Sequence, residues 1–129
     1  MTTADIQAGI ERVQKAIEFG INPNDPHART AIREHLVHVC QMQPFAIKME
    51  AEASVMLSDA KQKNFGKAKE MASIGKELRS TLFDAAMDSM CGSEKSLYDT
   101  ARSMRYALGN AIEIYRSVLA DLRADVPRD

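Results

Sequence analysis

The sequence predicts an all-α protein, an elongated antiparallel helical hairpin or bundle of four to five helices with coiled-coil-like heptad packing. Three observations predict it. The first is an unbroken apolar stripe of Leu97, Ala101, Met104, Leu108, Ala111, Tyr115, Val118 and Leu122, whose spacings alternate between 4 and 3. A helix of 3.6 residues per turn keeps such a stripe on one side only by winding gently about a neighbour. The second is composition. Aromatics make up 5% of the 129 residues, Trp is absent, and Ala and Met carry much of the 45% apolar content. Such side chains suit helix packing better than sheets, which favour β-branched and aromatic residues. The third is the absence of strand signals, since there is no alternating β-branched run and no Asn-Gly or Asp-Gly pair.

The first helix is expected over about Thr3 to Phe19, because Ile6, Ile10, Val13 and Ile17 fall on one face. Thr2 or Thr3 caps its start, and Gly20 closes it in the left-handed conformation. Ile21 to Pro26 reads as a loop, since each proline disfavours a helical residue before it. Asp25 is then an N-cap with Pro26 at the first helical position. A heptad register of Ile32, His35, Val39, Met42, Ala46, Met49, Ala53, Met56 and Ala60 predicts one long helix over about 26–64. Pro44 removes a backbone bond and crowds the preceding turn, so a kink is expected near Gln43–Pro44. Two helices meeting at Pro44 is the alternative. Gly66 interrupts next, and a further helix to about Met90 would place Met71, Ile74, Leu78, Leu82 and Ala85 on one side. Cys91-Gly92 ends it. Ser93 and Glu94 cap a closing helix over about 94–124. By length this is one domain, 1–129, with an N-terminal helix and loop (1–25), long helices (26–125) and a frayed tail (126–129).

Charge and processing signals narrow the function classes. The net charge is −1, so no global field drives nucleic-acid binding. Residues 1–60 hold 5 Lys/Arg against 8 Asp/Glu, and residues 61–129 hold 12 against 10. That asymmetry is mild. No apolar run approaches 18 residues and no signal-peptide pattern opens the chain, so a cytoplasmic protein without a membrane span is expected. Cys40 and Cys91 are expected as free thiols.

No motif with catalytic or cofactor spacing stands out. His27, His35 and His38 cluster near Glu34 and Cys40, but the zinc-protease order His-Glu-x-x-His is absent. The carboxylate pairs Glu50/Glu52 and Asp84/Asp88 lack the Glu-x-x-His partners of di-metal bundles. The six glycines are scattered singly, so no phosphate-cradling loop forms. The chain is expected to be no enzyme and to hold no metal and no cofactor.

Two charged features are candidate binding elements. Lys61, Lys63, Lys67 and Lys69 surround Phe65 in nine residues without an acid. At a hairpin tip they would form a positive knob suited to a phosphate backbone or an acidic partner. Arg102, Arg116 and Arg123 share a heptad position, with Arg105 one turn from Arg102. That stripe could track phosphates or pair with acids on a neighbouring helix. The apolar stripe of the closing helix, widened by Ile112 and Leu119, is a candidate oligomer seam. Tyr106 and Ile114 add apolar surface on other sides. A homo-oligomer, a dimer foremost, is expected with this helix in the interface.

Residues 60–125 resemble a loose group of small helical proteins encoded by bacteriophages. The resemblance runs through Lys67-Ala68-Lys69, Lys76-Glu77-Leu78-Arg79, Tyr98-Asp99-Thr100-Ala101-Arg102 and Tyr115-Arg116-Ser117-Val118-Leu119. In that group a lysine- and alanine-rich helix leads through a short glycine-containing turn into a long closing helix. Such proteins sit among phage recombination and replication functions. The resemblance implies an accessory role in a host cytoplasm, with no catalytic residues to carry over. The favoured reading is a non-enzymatic interaction or assembly protein with an unidentified protein partner. The alternative is a nucleic-acid-associated accessory protein using the lysines and the arginine stripe.

Overall fold

The computed structural model describes residues 1–18, 20, 24–74 and 77–124. It is all-α, with four helices among the described residues: α1 (Thr3–Ile17), α2 (Ala28–Ala72), α3 (Ser80–Met90) and α4 (Gly92–Ala124). A two-residue antiparallel ladder joins α2 to α3, pairing Ser73 with Leu78 and Ile74 with Glu77.

Local chemistry sets the helix ends. Thr2 caps α1: its side chain accepts from the Asp5 N–H, and the Asp5 carboxylate accepts from the Thr2 N–H at 2.8 Å. The hydrogen bond from the Thr2 backbone holds the Asp5 carboxyl below its ordinary range. Because the folded value is depressed, this contribution is present at neutral pH and is lost as pH falls through it. The helix stops at Ile17, with Glu18 as C-cap (φ −74°, ψ 0°), so Gly20 is not its terminator. Phe19, Ile21, Asn22 and Pro23, read as helix end and loop, lie outside the described residues. Asp25 caps a turn before α2 instead of the helix itself, its carboxylate accepting from the His27 N–H at 2.8 Å. His27 takes the N-cap position.

The long second helix is continuous through Pro44, as the surviving heptad register predicts, and runs eight residues beyond the expected end. At 45 residues it is about 68 Å long. It passes straight through Gly66, which was expected to interrupt it. The break falls instead at Ser73, where the backbone turns extended (φ −84°, ψ 130°). The single helix expected over 66–90 is therefore two elements around a short hairpin. Ile74 and Leu78 belong to the ladder, and their side chains lie outside the described residues. Met71, Leu82 and Ala85 are exposed instead of forming a buried stripe. Only Cys91 separates α3 from α4, with Cys91 N–H bonded to Met87 O and Lys95 N–H to Cys91 O. Ser93 and Glu94 accordingly sit in the first turn of α4, not at its cap.

Helices α2 and α4 run antiparallel, as Asn64 meets Cys91, Glu50 meets Arg105 and His35 meets Tyr115 along their length. Helix α1 lies against both. Gly9 permits its close approach to α2, because a Cβ there would stand 2.8 Å from Met49 Sδ and from the Phe45 ring. At the other end of α1, the His35 Nε2–H donates to Ala16 O at 2.8 Å and the Tyr115 hydroxyl donates to Ile17 O at 3.4 Å. These bonds satisfy carbonyls that a helix C-terminus leaves without intrahelical partners. The core is this three-helix body, built on Ile6, Val13, Ile32, Val39, Met49 and Leu108. Beyond about residue 64, where Asn64 meets Cys91 at the start of α4, α2 packs on α3, making a two-helix arm.

Two glycines give opposite predictions in chemical denaturation. Gly9→Val is expected to cost about 1–3 kcal/mol through overpacking. Gly66→Ala is expected to add roughly 0.5–1 kcal/mol, because Gly66 is helical and a Cβ there meets nothing within 4 Å.

Candidate interaction surface

The apolar stripe of α4 is internal. Leu97, Ala101, Leu108, Ala111, Ile112, Tyr115 and Leu119 are buried within the single chain, and Met104, Val118 and Leu122 pack half-buried against the same core. This corrects the expectation of an oligomer seam on this helix. A heptad stripe needs a neighbour, and α1 and α2 of the same chain supply it. Tyr106 and Ile114 remain exposed on other sides of α4.

Arg102, Arg105 and Arg116 of α4 are engaged within the chain. The Arg105 Nε–H donates to Glu50 Oε2 at 2.7 Å, across the α2–α4 groove. This is the pairing use expected of charges flanking a seam. Arg116 holds Glu113 of its own helix at 3.2 Å. The Arg102 and Arg105 guanidinium carbons lie 5.7 and 5.0 Å from the Tyr106 ring centroid. Hydrogen bonds from Arg105 and Arg102, together with their charge, push the Tyr106 hydroxyl below the ordinary tyrosine range. The hydrogen bond to Tyr106 in turn raises Arg102. Burial pushes Tyr115 the other way. The Arg123 side chain lies outside the described residues. A groove of about 270 Å³ opens beside this group, lined by Gln43, Ile47, Arg105, Tyr106, Gly109 and Asn110.

The lysines sit on the helical arm, not on a turn, so they do not form the expected knob. Residues four apart are neighbours along a helix. Lys61, Phe65 and Lys69 thus form one row, and Lys63, Lys67 and Met71 another. Between them runs a third row, Asn64, Ala68 and Ala72, with both alanines fully buried against α3. Among the described residues no ion pair engages any of the four lysines. The Phe65 ring meets the Phe83 ring edge-on at 5.4 Å.

The arm leaves apolar side chains in water. Phe65 is 52% exposed, Met71 60% and Leu82 44%, and Ala86 is the sole buried residue of α3. Two short helices of small residues have no third layer to cover these side chains. Sequence reasoning found Phe65 but missed Met71 and Leu82, which it assigned to a buried stripe. The signal was available in Ala68, Ala72 and Ala86, whose small size limits what a two-helix contact can enclose.

Among the described residues, no group of three His, Cys, Asp or Glu is placed to hold a metal ion. His27 and His38 are exposed, and His35 is used to hold α1. Cys40 and Cys91 are free. No helix among the described residues is long and apolar enough to cross a membrane. Comparison with protein-family models, curated proteins and solved structures finds no match for the chain.

The tyrosine environments give a titration test. In a pH titration resolved by residue, Tyr106 is expected to ionise before Tyr115. Arg102→Ala with Arg105→Ala should move Tyr106 upward and leave Tyr115 in place. An unmoved Tyr106 would contradict the arginine contacts.

Proposed function

We propose that this chain is a non-enzymatic interaction and assembly protein that works by helix-to-helix contact with protein. The observation that carries this reading is the exposed apolar set Phe65, Met71 and Leu82 on the arm, beside a body whose own stripe is closed. Phe65 and Met71 lie in different rows of the arm, each beside lysines, and large apolar side chains left in water with a charged rim support a protein contact. The resemblance of residues 60–125 to small phage proteins supports an accessory role in phage recombination or replication. Catalysis has no place in this reading, because no nucleophile is paired with a base in any groove described above.

One observation favours nucleic acid as a second reading: among the described residues the four arm lysines carry no ion pair, whereas Arg105 and Arg116 do. Helical spacing weakens it, because the lysines divide between two rows.

A single pair of proteins tests the first reading. Wild type and Phe65→Asp/Leu82→Asp are purified from the same expressing cells, and their native masses and stoichiometric companions are compared. The wild type is expected to run above its 14.3 kDa chain mass, with itself or with a bound protein. The variant should run as a single chain with unchanged helical circular dichroism. Both running as single chains without companions overturns the reading. For the second reading, a gel shift at about 50 mM salt and tens of micromolar protein is the most permissive condition, because phosphate contacts are strongest at low salt. No shift there removes it. A shift abolished by Lys63→Glu/Lys67→Glu establishes it.

A further inference from the structure

We infer that the partner of the arm is an acidic amphipathic helix of another protein, seated on the face that Phe65 of α2 shares with Phe83 and Met87 of α3. This rests on the reading of the arm as a protein-contact surface. The Phe65–Phe83 ring contact sets these two residues on one side of the helix pair. On α2 that side continues one turn either way, to Lys61 and Lys69. On α3 it continues to Met87 and, at the N-cap, to Arg79. Phe65 is exposed, and Phe83 and Met87 are half-buried. The middle of the face is thus an apolar strip that α2 and α3 do not close between themselves.

Its charge is of one sign. Successive helix residues turn by about 100°, so a residue two positions from an inward one looks away from the neighbouring helix. Glu70 stands two residues from buried Ala68 and Ala72, and Asp84 and Asp88 stand two residues from buried Ala86. These three acids therefore lie off the back of the arm, where Asp88 is paired with Lys95 at 3.6 Å. Lys63 and Lys67 belong to the other row, beside Met71. The face keeps Lys61, Lys69 and Arg79, none of them in an ion pair among the described residues, and no acid.

An apolar strip with basic ends selects the converse, an apolar centre flanked by acids. Lys61 and Lys69 are eight residues apart, about 12 Å along α2. Carboxylates about seven or eight residues apart on a partner helix span the same distance, and the apolar side chains between them reach Phe65, Phe83 and Met87. The lysine stems extend the strip while their ammonium groups meet the carboxylates. A nucleic-acid strand fits less well. Its phosphates repeat along the whole track, whereas the cations here stand at two ends. One face of the phenylalanine pair is also taken by the edge of the other ring, instead of lying open to a base.

Labelled synthetic probes test this by fluorescence anisotropy at about 50 mM salt, where charge is weakly screened. One probe is a helix-forming peptide of about 18 residues with leucines on one face flanked by glutamates. The second has every glutamate replaced by lysine, and the third is a single-stranded DNA oligonucleotide. The acidic peptide is expected to bind about tenfold or more tightly than the basic one. Lys61→Glu/Lys69→Glu should reverse that preference, a gain that a misfolded variant could not show. Lys63→Glu/Lys67→Glu changes the net charge equally but off the face, and should weaken the acidic peptide less. Phe65→Ser should weaken both peptides. No saturable binding of the acidic peptide, equal binding of the basic one, or equal effects of the two lysine variants overturns the inference. The mass and companions of Phe65→Asp/Leu82→Asp then still decide the interaction reading separately. DNA that binds more tightly than the acidic peptide, and is lost with Lys61 and Lys69, assigns the face to nucleic acid and overturns it. A wild-type mass of twice 14.3 kDa that Lys61→Glu/Lys69→Glu abolishes assigns it to a second copy and overturns it too.

Discussion

Leu108 and Ala101 have no solvent contact because α1 and α2 close over the stripe of α4, and the rest of the molecule follows from that closure. The stripe is continuous and periodic, so its cover must be continuous and in step. Helix α2 meets this by remaining one helix through Pro44, which keeps Asn64, Glu50 and His35 opposite Cys91, Arg105 and Tyr115. A break at Pro44 would have lost that correspondence. The third side is supplied by α1, pressed against α2 at Gly9 and tied at its end by His35 and Tyr115. Its 15 residues span about 22 Å, far less than α2. The body therefore ends where α1 ends, and the remaining length of α2 has only α3 beside it.

Periodicity made the body readable. The spacings in Leu97–Leu122 and Ile32–Ala53 identify the buried faces, and the Thr2 cap is visible as a residue type in place. What periodicity does not contain is the identity of the cover. A stripe that needs a neighbour looks the same whether the neighbour is in the chain or on another copy, and the α4 seam proved internal. Gly66 misleads for an energetic reason. One glycine in a helix costs about 1 kcal/mol, which the flanking helix formers and the Ala68 and Ala72 contacts outweigh. The break at Ser73 was hidden because Met71, Ile74, Leu78 and Leu82 keep helical spacing across it. Beyond Ala53 the inward positions also change step, to half-buried Ala60 and Asn64 and buried Ala68 and Ala72 at four-residue intervals, so the inward face rotates along the arm.

The charged residues divide along the same line. Arginines, with planar donors suited to bidentate and aromatic contacts, sit where α4 borders the body and are used on Glu50, Glu113 and Tyr106. Lysines occupy the arm, where long stems cover apolar surface while the charge stays in water. Spacing alone read both sets as binding elements. The contacts separate an internal set from one that forms no ion pair among the described residues.

Hydrogen exchange at several protein concentrations tests the central claim most directly, because it reads body and arm in one experiment. The body is closed and the arm is open. Amides in Ile32–Ala53 and Leu97–Leu119 should show the same protection from below 1 µM to roughly 50 µM, and more of it than those in 61–72 and 80–90. Protection of Leu97–Leu119 that rises with concentration, over an arm that does not change, would contradict it and return the interface to α4.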